Sequence, residues 1–327
     1  MNKKHVKLII INLLFVVCLL LAAEFTLYKV AVKEYNEFYK VISKLIPPPK
    51  FIENYTARFQ PQTIQYLETT KDLEFRPMEI NPNYTKKPIL LFGCSFTHGG
   101  VFLNNQQTVS YKLSKLTERN VYNLAMCGCG MQHMLYIIKN RLNQYLSQDV
   151  TPEYAIYFYI PNHIQRLRAT IFPGVFYNGT VLHYNVKNEK LEQEKRLNSF
   201  IYKTFLVKSF LYNKDRKREA NPQQDMIDNF NNALAILKET KKELETRYPN
   251  IKFIIVRYQL EDDDTFREAP DMWERLEKEG FTIVNSEDLI GRKFRFHSED
   301  TNVDEYHPSE KAWDTLLPPL IKKLKIN

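Results

Sequence analysis

The chain has 327 residues, 44% of them hydrophobic and 26% charged, a balance that excludes a disordered chain and leaves room for one large core or two modest ones. The net charge of +8 invites a nucleic-acid reading. The basic residues are interleaved with acidic ones, however, and the densest run, Lys214-Asp215-Arg216-Lys217-Arg218, is short, so no nucleic-acid partner is expected.

At the N-terminus Lys3, Lys4 and Lys7 precede an uncharged run, residues 8–23, that is apolar except for Asn12. Extended by residues 24–28 to the interface, it approaches the ~20 residues that cross a bilayer. The preceding positive charge keeps the N-terminus cytoplasmic and sends the body outward. Residues 1–28 therefore read as a single-pass signal anchor bearing an extracytoplasmic domain, periplasmic or at the cell surface. The alternative is secretion after cleavage at Ala22-Ala23, against which Leu21 stands as a poor residue for the −3 position. Residues 29–87 read as a juxtamembrane stalk, in which Pro47-Pro48-Pro49 ends any helix continuing from the membrane. Asn54, Asn83 and Asn178 each open a glycosylation sequon, a pattern common by chance.

From residue 88 strands and helices alternate. Ile89–Phe92 is a predicted strand, 108–119 a helix with Val109, Leu113 and Leu116 on one face, and Val121–Ala125 a second strand. A helix over 131–146 follows, then a continuous aromatic strand over 154–160 of the kind buried on both faces. Residues 163–222 interrupt the alternation and are longer than an ordinary connection. Within them Asn178-Gly179 between β-formers predicts a hairpin turn, and 197–212 an aromatic helix. A long helix over 225–247, a strand over 251–258, a helix over 271–279, a strand over 281–285 and a helix over 308–324 complete the chain. The pattern predicts an α/β fold: a three-layer α/β/α sandwich on a parallel, flavodoxin-like sheet over residues 88–327, with 163–222 inserted.

Four segments at strand ends carry chemistry. The first strand runs into Gly93-Cys94-Ser95-Phe96-Thr97, which would set a serine at the sheet's carboxyl edge. A serine needs a base, and Asp304-Glu305-Tyr306-His307-Pro308 offers one. The second strand ends at Asn123 and leads to Gly128 and Gly130. The third leads to Pro161-Asn162-His163. Together and in this order these blocks resemble those of the SGNH/GDSL hydrolase superfamily. The resemblance covers residues 88 to about 325 and implies an esterase with an acyl-serine intermediate.

In that resemblance Ser95 is the nucleophile, His307 the base and Asp304 the residue that orients His307, with Asp300 or Glu305 as substitutes. Ser95, Gly128 (or Gly130) and Asn162 supply the oxyanion hole. Cys94 departs from the aspartate usual beside the nucleophile. His163 and Pro161 depart from the usual Gly-x-Asn-Asp block. No cofactor and no metal are implied. A zinc site from Cys94, Cys127, Cys129 and His133 lacks the usual two-residue cysteine gap, and a bridge from Cys94 to Cys127 or Cys129 cannot be deduced from sequence. His98 and His133 read as local backbone caps, with a place in the lining of the site as the alternative. By analogy, the expected substrate is an acylated small molecule or polysaccharide, foremost an O-acetyl ester of a carbohydrate. The alternatives are an O-acyltransferase on envelope polysaccharide and a non-catalytic glycan-binding or assembly protein of the same fold.

Overall fold

The computed structural model describes residues 80–99, 103–126, 129–147, 149–167, 180–185, 190–195, 222–261, 271–296, 298–302 and 306–326, with five isolated helical positions between Asn12 and Ala22. The chain divides into two compact units: residues 1–60 with 196–220, and residues 61–195 with 221–327. The first unit lies almost wholly outside the described residues. So do most of the expected anchor, the stalk up to residue 79 and the helix expected over 197–212. Among the described residues no helix is long and apolar enough to cross a membrane.

The second unit is built on a five-stranded sheet. Its strands are β1 (Lys86–Phe92), β2 (Arg119–Asn123), β3 (Tyr154–Tyr159), β6 (Lys252–Arg257) and β7 (Thr282–Asn285). They lie in the order β2-β1-β3-β6-β7, and every neighbouring pair is parallel. With the hairpin strands set aside this is the doubly wound order with a switch point between β1 and β3, where the strand ends leave a crevice for a ligand. The first strand begins at Lys86, three residues before the expected Ile89, because Lys86 still pairs with Arg119 of β2.

Alternation along the strands makes the layers. Leu90 and Phe92 of β1 and Tyr157 and Tyr159 of β3 point to one face, and Ile89, Leu91, Ile156 and Phe158 to the other, as the period of two requires. On the first face lie α3 (Met131–Asn140), α5 (Pro222–Arg247) and α6 (Met272–Lys278), which contribute Met134, Leu135, Ile138, Phe230, Leu237 and Leu276. On the second lie α2 (Val109–Thr117) and α8 (Glu310–Leu324), with Val109, Leu113, Trp313, Leu316 and Leu317 fully buried. Each such aliphatic side chain contributes ~1.5–3 kcal/mol by leaving water. The remaining short helices are α1 (Ser95–His98), α4 (Asn162–Gln165) and α7 (Ser286–Ile290).

Three local expectations are corrected. The hairpin exists as β4 (Thr180–Asn185) paired antiparallel with β5 (Lys190–Lys195), but its connection is 186–189, and Asn178-Gly179 precedes the first strand. The helix expected over 131–146 ends at Asn140 and continues only as a 3-10 turn, Leu142–Gln144. Pro308 does not open the last helix. Ser309 is its N-cap, its hydroxyl accepting from the Ala312 N–H at 3.2 Å, a stronger start signal than proline at the first helical position.

Candidate active site

The site is assembled at the carboxyl ends of β1 and β3. After Phe92 the chain reverses into α1 within two residues. Gly93 makes that possible: a Cβ there would lie 2.1 Å from Thr97 Oγ1 and 2.7 Å from Thr97 Cβ. Cys94 is the N-cap of α1 without a side-chain cap. Ser95 thus takes the first helical position, where its N–H has no intrahelical acceptor. Neighbouring Phe96, Thr97 and His98 are buried, which fixes the turn from below while Ser95 stays partly exposed.

Asn123 ties the second strand end to this turn. Its side-chain amide donates to the Thr97 carbonyl at 3.4 Å and to Ser110 Oγ at 3.1 Å, while its side-chain oxygen accepts from the Ala125 N–H at 3.2 Å. Gly128 lies outside the described residues. Gly130 is the N-cap of α3 and donates its N–H to His133 Nδ1 at 3.1 Å, so this amide is already engaged within its own turn. His133 is the local backbone cap that its position suggested.

His307 reaches Ser95 from the other end of the chain. Its Nε2 lies 2.8 Å from Ser95 Oγ, across 212 residues of sequence. The loop that carries it is fastened on both sides. The Asn302 N–H donates to the His307 carbonyl at 2.7 Å, and the Ser309 N–H to the Asp300 carbonyl at 3.0 Å. Beyond the loop, Lys112 of α2 holds the first turn of α8 through Glu310 at 2.9 Å and Asp314 at 2.6 Å.

Of the carboxylates considered as orienters of His307, Asp304 and Glu305 lie outside the described residues. Asp300 is corrected as a substitute. It is buried and gripped by Arg292, with Oδ1 2.8 Å from Nη2 and a second bond from Nη1 to Oδ2. It also accepts from the Arg295 N–H at 3.1 Å. Burial pushes its carboxyl up, but the Arg292 and Arg295 bonds outweigh that and hold it below the usual carboxylate value. Its charge anchors the loop.

Asn162, the first residue of α4, faces the same crevice. Its side-chain amide donates to the Tyr306 hydroxyl at 3.2 Å. Tyr306 in turn meets Phe96 edge-on with centroids 5.2 Å apart, stacks on Phe296 at 5.4 Å, and meets His307 edge-on at 5.4 Å. This aromatic wall packs the His307 ring against the nucleophile turn. Behind Asn162, His163 is fully buried, its Nδ1 2.6 Å from the Tyr157 hydroxyl. Burial, with the Arg166 cation secondary, pushes its pKa well below the usual value, so it is a neutral packing residue. Burial lowers His133 in the same way, to about 3.

The structure therefore brings together Ser95, His307 and Asn162. One contributor, Tyr306, was not singled out from sequence. Tyr306 sits beside His307 in the motif, and its aromatic character was the available signal. Cys94 and Cys129 are free thiols, which removes the bridge between them, and among the described residues no cluster could hold a metal ion.

No protein-family profile matches this chain, and no curated protein matches it. Solved structures do. One is an acetyl xylan esterase, Est2A, from the rumen bacterium Butyrivibrio proteoclasticus, at a TM-score of 0.44 and 12% identity over 76% of this chain and 67% of that one. Another is a member of the lipolytic protein G-D-S-L family from Veillonella parvula, at 0.40 and 13% over 73% and 99%. A third is a family two carbohydrate esterase from Clostridium thermocellum in complex with cellohexaose, at 0.41 and 8% over 77% and 68%. Likenesses of this size carry no argument about the chemistry of this chain, which rests on the geometry of Ser95, His307 and Asn162.

Proposed function

We propose that the protein is an SGNH-type serine esterase. The observation that carries this reading is the 2.8 Å approach of His307 Nε2 to Ser95 Oγ. Such an approach lets a neutral imidazole take the hydroxyl proton as the oxygen attacks.

Ser95 Oγ bonds to the ester carbonyl carbon while its proton passes to His307 Nε2. The carbonyl oxygen becomes an oxyanion and is met by the Ser95 N–H and the Asn162 amide; the loss of one such donor typically costs ~3 kcal/mol. The tetrahedral intermediate collapses, the alcohol oxygen leaves with the proton from His307, and the acyl group remains on Ser95. Water then gives a proton to His307 and attacks the acyl carbon, and collapse returns the proton to Ser95 and releases the acid. Asp304 completes the triad in this reading by holding the imidazole with its proton on Nδ1. Gly128 adds a third oxyanion donor.

The substrate class that the resemblance implies is an O-acyl ester on a carbohydrate, and an acceptor sugar in place of water would make the same intermediate a transferase. The charged and apolar pattern of residues 1–28 supports a domain held outside the cytoplasm. The reading is tested by hydrolysis of p-nitrophenyl acetate with Ser95→Ala beside the parent protein. Activity that survives Ser95→Ala unchanged rules it out.

A further inference from the structure

Tyr306 meets both of the groups that flank Ser95. Its hydroxyl accepts from the Asn162 side-chain amide at 3.2 Å, and its ring lies edge-on to the His307 ring with centroids 5.4 Å apart. Two further aromatics hold it in place. Buried Phe96 meets it edge-on at 5.2 Å, and Phe296 lies parallel to it, at 5.4 Å with 5° between the planes. Tyr306 and Phe296 both pack against the core of the second face, yet both are only partly buried. The pair is thus anchored below and open to solvent beside the nucleophile.

The chemistry of ester cleavage decides which half of a substrate meets that pair. The carbon attacked by Ser95 carries three other substituents. Its oxyanion turns to the Ser95 N–H and the Asn162 amide. Its alcohol oxygen must come within hydrogen-bond reach of His307 Nε2 to receive the proton. The acyl chain takes the direction left over, away from both. A side chain that meets Asn162 and His307 together therefore borders the alcohol half and not the acyl half. What it offers there is an apolar ring with a hydroxyl at its tip, a surface on which another ring packs well.

We propose that Tyr306, backed by Phe296, is the specificity-determining residue for the alcohol half of the ester, and that it favours an alcohol carried on a ring, sugar or aryl, over an open-chain one. For the direction in which the substrate lies, the inference rests on the esterase reading. For the presence of a ring-binding face beside Ser95, it rests on the aromatic geometry alone.

The test uses the full chain with Tyr306→Ala, Tyr306→Leu and Tyr306→Phe. Selectivity is read as ratios of kcat/KM, so that a general loss of activity cancels. The alcohol ratio compares phenyl acetate, and methyl 6-O-acetylglucoside, with ethyl acetate. The acyl ratio compares p-nitrophenyl acetate with p-nitrophenyl butyrate. In the alanine and leucine variants we expect the alcohol ratio to fall about 10-fold for at least one ring ester, while the acyl ratio stays within about threefold. Tyr306→Phe keeps the ring and should hold both ratios within about threefold. A fall confined to phenyl acetate assigns the face to aryl alcohols, and one confined to the glucoside assigns it to sugars. Leucine retains apolar bulk, so it carries the test if the alanine variant does not fold. An unchanged alcohol ratio, or an acyl ratio that moves more than about fivefold toward butyrate, overturns the proposal. Binding of phenol and of methyl glucoside to the Ser95→Ala chain, followed by saturation-transfer NMR, reads the face without turnover. Binding that Tyr306→Leu abolishes, in a chain whose parent shows no Ser95-dependent hydrolysis, upholds the ring-binding face and overturns the esterase reading. Absence of both hydrolysis and binding overturns both.

Discussion

Asn162→Ala is the most discriminating substitution among the oxyanion donors. In the resting site the Asn162 amide donates to the Tyr306 hydroxyl at 3.2 Å. A neutral bond of that kind nets about 1 kcal/mol. Nδ2 carries two protons, so one remains for the substrate oxygen while the other is held by Tyr306. A bond to an oxyanion is charge-assisted and roughly twice as strong as a neutral one, and it strengthens as charge develops. Loss of such a donor costs about 3 kcal/mol in the transition state, which is roughly 150-fold in kcat. Alanine leaves KM nearly unchanged, because the ground-state ester carries little charge on that oxygen. Tyr306→Phe removes only the resting partner and lowers kcat by less than about threefold. The assay is steady-state hydrolysis of p-nitrophenyl acetate by the two variants, with melting temperatures measured alongside. If Asn162→Ala keeps kcat within threefold while Tyr306→Phe loses 100-fold, the donor is the phenol and the reasoning about Asn162 fails.

Three further outcomes follow from the same geometry. Gly93→Ala drives a methyl group against Thr97; overpacking of this kind costs ~1–3 kcal/mol, so the melting temperature drops and kcat falls at least ~10-fold, and Thr97→Gly in the same chain recovers part of both. Arg292→Ala leaves the Asp300 carboxylate buried without its partner, which should cost about 2 kcal/mol by chemical denaturation and loosen the His307 loop; a change under 0.5 kcal/mol would show that the pair anchors nothing. Acid should destabilise the fold before the carboxylates titrate. Both His133, lowered to about 3, and His163, lowered well below its usual value, stay neutral when folded but take up a proton near pH 6.5 when unfolded. The unfolded state then binds more protons, so stability falls as pH drops below about 6.5, by up to about 1.4 kcal/mol per pH unit for each histidine. Urea titrations at pH 7 and pH 5 check this, and His163→Gln should flatten the slope.

The sheet was readable because its strands are buried on both faces. Continuous runs such as Ile89–Phe92 and Tyr154–Tyr159 leave few other interpretations when helical periods separate them. Ser95, Asn162 and His307 were readable for a different reason: each follows its strand or precedes its helix at a fixed offset, so topology brings them to one edge. Tyr306 was not, because its role arises from a contact across 144 residues to Asn162, and nothing local marks it. The hairpin turn was misplaced because Asn178-Gly179 carries the stronger local signal, while cross-strand pairing from Thr180–Lys195 to Asn185–Lys190 decides the register.

The central claim is that His307 activates Ser95. A fluorophosphonate probe, with peptide mapping of the modified residue, tests it most directly. The account predicts a single adduct on Ser95, lost in Ser95→Ala and slowed at least ~1,000-fold in His307→Ala, because the unassisted hydroxyl is a poor nucleophile. Labelling that is absent from Ser95, or that proceeds at the parent rate without His307, would contradict it.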